Sequence, residues 1–159
     1  MSLAWRQMRR GDIPAVAALE VLCHAPLPPE GEALFAERLA LFPPGCLVAH
    51  DAAGLAAYIV SHPWVRGAPP ALGDRLGAIP AAADCLHLHD IAIAPRARGQ
   101  GLVAAALAAL LPVARAAGLS AITLVAVHGT APLWARHDFA STGPAPASYG
   151  EGETMVRSI

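Results

Sequence analysis

Residues 89–102 read His-Asp-Ile-Ala-Ile-Ala-Pro-Arg-Ala-Arg-Gly-Gln-Gly-Leu. They predict an apolar strand that runs through a turn rich in Arg and Gly into a helix. Because Gly99 and Gly101 carry no side chain, consecutive backbone amides at the start of that helix are unobstructed. Such amides, together with the positive end of the helix dipole, form a binding site for anions. The turn is therefore predicted to hold a phosphate or diphosphate group.

A dinucleotide cofactor is one interpretation of this turn. Gly99-x-Gly101-x-x-Ala104 fits the glycine fingerprint, which also needs an acidic residue about 20 positions further on for the ribose hydroxyls. No Asp or Glu occurs from residue 91 to residue 137, and residues 95–98 separate the glycines from the strand. A nicotinamide or flavin cofactor is therefore disfavoured. A turn that merely joins strand to helix stays open as an alternative.

The same region resembles the GNAT superfamily of N-acetyltransferases. Its coenzyme A motif, R/Q-x-x-G-x-G/A, is matched by residues 98–103, Arg-Gly-Gln-Gly-Leu-Val, except that Val103 replaces the last Gly or Ala. Residues 96–101 satisfy every letter, but the spacing from the strand favours the later frame. The short-helix motif of the family, aromatic-aromatic-x-R-x-G-F, has a counterpart in residues 133–139, Leu-Trp-Ala-Arg-His-Asp-Phe.

The resemblance implies a fold, a co-substrate and a set of binding residues. The fold is one α/β domain over residues 1–159, with a mixed, mostly antiparallel sheet of about seven strands, flanking helices and splayed central strands. The co-substrate is acetyl-CoA, without a metal: its pantetheine pairs with the strand, and the turn amides hold its diphosphate. The implied cofactor-binding residues are Ile91, Ala92, Ile93, Arg98, Gly99, Gln100, Gly101, Leu102, Val103, Ala104 and Trp134.

Two histidines precede the turn, in the sequence Leu86-His87-Leu88-His89. Residues two apart on a strand point to the same face, so both imidazoles can act on one site. An imidazole with a pKa of about 6.5 can take a proton from an ammonium group at neutral pH, as acyl transfer to nitrogen requires. His87 and His89 are therefore the predicted catalytic residues. A hydrogen-bonded core role, or a metal site with a third ligand, is the alternative. Asp90 is predicted to face the other way unless the strand carries a bulge.

The His-Leu-His pair also resembles the arylalkylamine N-acetyltransferases, in which both histidines are linked to proton removal. Pro26 and Leu27 match a Pro-Leu step that walls the amine pocket in that branch. Trp134 stands where the branch has a tyrosine that protonates the leaving thiolate, and an indole cannot act as that acid. Tyr149 or solvent is the alternative proton source.

The rest of the chain predicts one cytoplasmic domain. The element order β-α-α-β-β-β-α-β-α-β-β indicates a single mixed sheet with helices on both faces. A net charge of −1 suggests neither a nucleic-acid partner nor an anionic membrane surface, and the longest apolar stretch, residues 102–114, is too short to cross a bilayer. The three cysteines show no C-x-x-C spacing, which favours reduced thiols. No secretory or lipidation signal is recognised.

These observations predict an acetyl-CoA-dependent N-acetyltransferase. The loops over residues 23–29 and 63–84 are apolar, so a small hydrophobic or arylalkyl primary amine fits better than a polyamine. We expect direct attack by the amine without an acetyl-enzyme, in a monomer or homodimer. The alternatives are acetylation of protein N-termini or lysines, and a non-catalytic acyl-CoA-binding sensor.

Overall fold

The computed structural model describes residues 3–159, so residues 1 and 2 of the predicted domain lie outside the described part. Seven strands of that part form one sheet. The strands are β1 (Arg6–Gln7), β2 (Cys46–Asp51), β3 (Gly54–Trp64), β4 (Cys85–Ile93), β5 (Ala121–Ala126), β6 (Ala140–Pro144) and β7 (Glu153–Ser158). The helices are α1 (Ile13–His24), α2 (Glu32–Leu41), α3 (Leu102–Ala116) and α4 (Ala131–Ala135). The predicted fold class, a seven-stranded mixed sheet flanked by helices, is confirmed.

The strand order is β1-β2-β3-β4-β5-β7-β6. Every neighbouring pair is antiparallel except β4 and β5, which are parallel and are joined through α3. A parallel pair needs such a crossover because the chain must return to the same end of the sheet. The crossover therefore brings the predicted anion-binding turn, which precedes α3, to the ends of β4 and β5.

Alternation along the strands divides the core between two faces of the sheet. Tyr58 and Val60 of β3 pack with α1 and α2, in a cluster that includes Val16 and Phe35. Ile59 points to the opposite face and packs in a second cluster, which α3 completes together with side chains of β4 and β5. Helices cover both faces, so the central strands are buried on either side, as their near-continuous apolar sequence predicts.

The two parallel strands separate after a short paired segment. β4 and β5 are in register only at Leu86 with Ile122, His87 with Thr123 and Leu88 with Leu124. Beyond Leu88, β4 stays paired with β3 alone, through Ile93. The edge of β4 that faces β5 is therefore left without a neighbouring strand over residues 89–93, and the splayed central strands that the family resemblance implied are present.

A β-bulge interrupts β4 at the point where the strands separate. Val60 of β3 lies opposite Asp90 and Ser61 lies opposite Leu88, so His89 has no partner in the ladder. A bulge places two consecutive side chains on one face instead of alternating them. The prediction that Asp90 faces away from His87 and His89 is therefore wrong, and the exception allowed for a bulged strand applies.

The long loop over residues 65–84 is tied to α2. The Arg38 guanidinium donates to the carbonyl oxygen of Asp74 at 2.8 Å, and the Glu37 carboxylate accepts the backbone N–H of Leu76 at 2.7 Å. These contacts hold the loop on the side of the sheet that α1 and α2 cover, where Leu72 forms part of the wall of the site. None of the helices between residues 3 and 159 combines the length and apolar character that a membrane-spanning helix requires.

Candidate active site

A cavity of about 680 Å³ occupies the slot between the diverging ends of β4 and β5. One wall is β4 from Leu88 to Ile93, and one end is the turn that leads into α3. The other end is formed by the last turn of α1, the segment that follows it, and two residues from distant loops, Leu72 and Tyr149. The predicted anion-binding turn and the predicted acceptor loops thus open into the same space.

The turn before α3 has the backbone conformation that its glycines allow. Gly99 and Gly101 adopt positive φ angles of 75° and 74°, in the left-handed region that side chains disfavour. Gly101 is also the residue that precedes the first turn of α3. The amides at this helix start have no partner within the helix and carry the positive end of its dipole. The turn therefore offers N–H groups to an anion.

The predicted cofactor-binding residues line the cavity, with the exception of Gln100. The Gln100 side chain instead donates to the carbonyl oxygen of Arg96 at 3.4 Å. The Arg98 guanidinium folds back onto the strand and donates to the carbonyl oxygen of Ile93 at 3.0 Å, which orients this cation at the cavity wall. Trp134 is buried, 5% exposed, and packs edge-on against Phe139.

Three buried carboxylates meet at the other end of the cavity. Glu20, Glu30 and Asp90 each have an oxygen within 4.8 Å of the other two. Glu20 accepts the backbone N–H groups of Glu30 and Gly31, and its desolvation by burial raises its pKa. Glu30 is desolvated too, but its hydrogen bond with His89 and the charge of that ring, together with the Gly73 N–H and the charge of Arg38, outweigh that effect and lower its pKa. This end of the cavity therefore presents carboxylate oxygens, whereas the turn end presents N–H groups.

The two predicted catalytic histidines lie on the same face but border different spaces. His89 lines the main cavity, and its Nε2 lies 2.7 Å from Oε1 of Glu30. His87 lines a second cavity of about 170 Å³, and its Nδ1 lies 2.9 Å from the hydroxyl of Thr123. Their ring centroids are 6.0 Å apart, and a third buried ring, His62, lies within 6 Å of both. Among the described residues, one nitrogen of each of these three rings has no hydrogen-bond partner.

Burial strongly lowers the pKa of two of these rings, His62 and His87. Desolvation, reinforced by the nearby charge of His89, lowers the pKa of His62 to about 3. The same two causes hold the pKa of His87 well below its usual range. Both rings are therefore neutral at physiological pH and poor acceptors of a proton. Of the predicted pair, His89 is the one that borders the main cavity.

Sequence reasoning missed a second imidazole group on the cavity wall. Nε2 of His24 lies 2.6 Å from Oδ1 of Asp90, and Nδ1 of the same ring lies 3.1 Å from Nε2 of His128. The other oxygen of Asp90 accepts the hydroxyl of Tyr58 at 2.6 Å. His24 and Asp90 are 66 positions apart, and the sequence shows no bulge at His89, so nothing in it signalled that Asp90 enters the site.

Of the two predicted acceptor-binding residues, one lines the main cavity and the other does not. Leu27 lines the cavity together with Pro28, whereas Pro26 does not. Tyr149, the alternative acid, is buried and also lines the cavity, and its hydroxyl points to the carbonyl oxygen of Pro70 at 3.4 Å. Burial raises the pKa of Tyr149, so the phenol keeps its proton at neutral pH.

A family model described as the acetyltransferase (GNAT) family matches residues 13–139. This range includes β4, the glycine turn, α3, β5 and α4. A comparison with curated protein sequences finds no significant match.

Several solved structures share the fold over nearly the whole chain. The loading GNATL domain of CurA from Lyngbya majuscula has a TM-score of 0.84 at 14% identity, with 99% of this chain and 98% of that chain covered. A structure of histone acetyltransferase HPA2 and related acetyltransferase from Corynebacterium glutamicum has a TM-score of 0.65 at 22% identity, with 99% and 96% covered. N-acetylglutamate synthase from Neisseria gonorrhoeae, complexed with coenzyme A and N-acetyl-glutamate, has a TM-score of 0.68 at 20% identity, with 100% and 35% covered. At these identities the likeness concerns the fold alone.

Proposed function

This chain belongs to the GNAT family of acetyltransferases, and from that premise we propose that it transfers the acetyl group of acetyl-CoA to the primary amine of a small hydrophobic molecule. One observation carries the proposal: a single cavity joins an anion-binding turn at one end to a cluster of buried carboxylates at the other. A diphosphate carrier suits the first end, and a cationic acceptor suits the second. The reacting groups would then meet where β4 and β5 separate.

The cofactor side of the proposal rests on the open edge of β4 and on the turn. Residues 89–93 lack a strand partner toward β5, so their backbone groups can pair with the amides of pantetheine as an added strand does. The N–H groups from Gly99 to Ala104 and the charge of Arg98 suit the diphosphate. Among the implied binding residues, Ile91, Ala92 and Ile93 would flank pantetheine, and Trp134 would form part of the opposite wall. In this arrangement Gln100 supports the turn through Arg96.

The acceptor side combines charge with apolar surface. A primary amine arrives at neutral pH as an ammonium ion, which the carboxylates of Glu20, Glu30 and Asp90 attract. Leu27, Pro28 and Leu72 line the same end and would cover the hydrocarbon part of the acceptor. These features favour an amine whose charge lies at one end of an apolar body.

Acetylation removes two protons from the amine nitrogen. An ammonium ion must lose one proton before its lone pair can attack the thioester carbonyl, and the N–C bond that forms leaves a second proton to be lost as the C–S bond breaks. One of these protons ends on the thiol of coenzyme A and the other leaves the enzyme. We propose His89 as a proton acceptor at the cavity wall, oriented by Glu30. His87 borders the smaller cavity and is a poor proton acceptor, so of the predicted pair only His89 is proposed to take the proton.

Protonation of the leaving thiolate has a candidate in Tyr149. Trp134 occupies the place of the tyrosine in the related motif and has no acidic proton of suitable pKa. Tyr149 keeps its proton and borders the cavity, so it is the nearest match to that role. Solvent is the alternative source.

A screen for thiol release tests the proposal. The protein is incubated with acetyl-CoA and, in turn, arylalkylamines, other primary amines, amino acids, polyamines and short peptides. We expect release with hydrophobic primary amines. Release with peptides alone would instead identify a protein acetyltransferase. Binding of coenzyme A by calorimetry, without release in any mixture, would identify a sensor.

Two finer expectations belong to this proposal. The comparisons do not support the arylalkylamine branch in particular, so arylalkylamines enter the screen as one class of acceptor among several.

A cytoplasmic location is supported by the three cysteines, Cys23, Cys46 and Cys85, all of which are free thiols.

A further inference from the structure

We propose that His128, His24 and Asp90 form a relay through which the reaction releases its net proton to solvent. The inference rests on the proposed amine acetylation and names the residues that handle the proton which does not stay on coenzyme A. All three residues line the main cavity. None of them belongs to the predicted histidine pair.

The contacts have the geometry of a continuous hydrogen-bonded chain. His24 uses both ring nitrogens, Nε2 toward Asp90 at 2.6 Å and Nδ1 toward Nε2 of His128 at 3.1 Å. The two imidazole rings are only 13° from parallel, with centroids 5.3 Å apart. That separation is close to the N–N distance plus the radii of two imidazole rings. The rings therefore meet edge to edge in nearly one plane, as a hydrogen bond between them requires, rather than stacking face to face.

The chain runs from the interior of the cavity to the surface. The side chain of Asp90 is 8% exposed and that of His24 is 18% exposed, whereas His128 is exposed. His128 follows the end of β5 with a positive φ of 57°, an uncommon conformation for a residue other than glycine. The relay thus links a buried carboxylate on β4 to a solvent-exposed imidazole just after β5. His89 has no such outlet, since its side chain is 1% exposed.

The transfer balances as a two-step exchange. An N–H bond of the amine breaks as Nδ1 of His128 takes the proton, directly or through one water. The proton on Nε2 of His128 then passes to Nδ1 of His24. The product is a His24 imidazolium whose Nε2–H donates to the carboxylate of Asp90. Reversal of the second transfer, followed by loss of the Nδ1 proton from exposed His128, delivers the proton to solvent.

The surrounding charges favour that direction of transfer. The titratable groups that act on His24 are Asp90, His128, Glu20 and Glu30. Burial alone would lower the pKa of His24, but the hydrogen bond and charge of Asp90 outweigh it and raise the pKa. Burial, and then the charge of His24, lower the pKa of His128. His128 is therefore neutral and able to accept a proton, and the positive charge that results is better stabilised on His24, beside Asp90, than on His128.

Tyr58 fixes the inner end of the relay. Its hydroxyl donates to Oδ2 of Asp90, and burial, followed by the charge of Asp90, raises the pKa of this phenol. The phenol thus remains a donor, and the carboxylate is held with its other oxygen toward His24. In this scheme His128 is the catalytic residue, and His24 and Asp90 are positioning residues that act through it.

The experiment uses the full chain and an acceptor that the thiol-release screen has identified. His128→Ala, His24→Gln and Asp90→Asn are compared with His50→Ala, which alters another exposed histidine that does not line the cavity. We expect His128→Ala to lower kcat/KM by about 10- to 100-fold, since general base catalysis is worth at least that much. Its coenzyme A affinity and Tm should match those of the parent. Added imidazole should restore part of the activity of His128→Ala and leave His50→Ala unaffected. His24→Gln and Asp90→Asn should displace the acidic limb of the pH–rate profile.

Two results would overturn the relay. One is a His128→Ala variant with the parental kcat/KM and pH–rate profile. The other is a loss of activity matched by an equal loss of coenzyme A binding, which would make the His24–His128 contact a structural bridge between the end of α1 and the segment that follows β5. Failure of the parent protein to release thiol with any acceptor would refute the proposed acetylation itself, a result that the screen gives before any variant is made.

Discussion

Substitution of Gly101 by alanine separates the conformational role of the turn from its role in binding. Gly101 has a φ of 74°, and a Cβ added there would meet nothing within 4 Å, so the substitution introduces no clash. The substitution should lower the free energy of unfolding by about 1 to 2 kcal/mol, because a residue with a Cβ disfavours the left-handed conformation. In a chain of this size that corresponds to a fall in Tm of about 2 to 8 °C.

Gly77 provides a matched control, because it has the same φ of 74° and the same open space around the added Cβ. It lies in the long loop and does not line the main cavity. Gly77→Ala and Gly101→Ala should therefore lose similar stability, as measured by thermal unfolding. Only Gly101→Ala should weaken coenzyme A binding. The added methyl group stands in the open space beside the turn amides and would keep the phosphate from approaching them; the loss of one N–H contact to a charged phosphate is worth about 1.5 to 3 kcal/mol, or about 10- to 100-fold in the Kd measured by calorimetry. Equal affinities for the two variants would refute the assignment of the diphosphate to this turn.

Three further outcomes follow from the described contacts. Leu110→Ala should lower the free energy of unfolding by about 2 to 5 kcal/mol in urea, because the leucine is fully buried on the inner face of α3; a loss under 1 kcal/mol would contradict that packing. Tyr58→Phe should reduce kcat more than it changes KM for the amine, since it removes the O–H donated to Asp90; unchanged steady-state kinetics would exclude a role for that bond. Because the pKa of Glu30 is lowered in the folded state, its contribution to stability is present above the unfolded pKa of about 4.3 and is lost as pH falls through the folded value. Chemical unfolding should thus show a steeper acid loss in the parent than in Glu30→Gln, and parallel curves would argue against the Glu30–His89 pair.

Local patterns predicted most of the fold. Two apolar runs, residues 46–50 and 55–62, flank turn residues 51–54 and are typical of a hairpin. The observed β2 and β3 extend these runs by one or two residues at an end. Helix α3 was predicted from Gly101 onward and begins at Leu102. These elements depend on periodicity and turn residues within about ten positions, which a single sequence displays directly.

The acceptor end of the site was less accessible to such reasoning. One unpaired residue, His89, reverses the facing of every side chain after it on β4, and no local pattern in a strand rich in Ile and Ala announces that shift. The contact of His24 with Asp90, and that of Glu30 with His89, join residues 66 and 59 positions apart. Such pairs are fixed by tertiary packing of α1 and its following loop on the sheet, so they appear only once the fold is known.

The separation of β4 from β5 also affects the stability of the protein. Just three residue pairs form the seam between a half-sheet of four strands and a half-sheet of three, and the rest of the gap is open. A ligand that touches both borders of the gap contacts both half-sheets at once. It therefore binds only the form of the protein in which the two half-sheets are packed together. Such a ligand should therefore raise the midpoint of unfolding, adding to the core cluster through which α3 already holds both half-sheets.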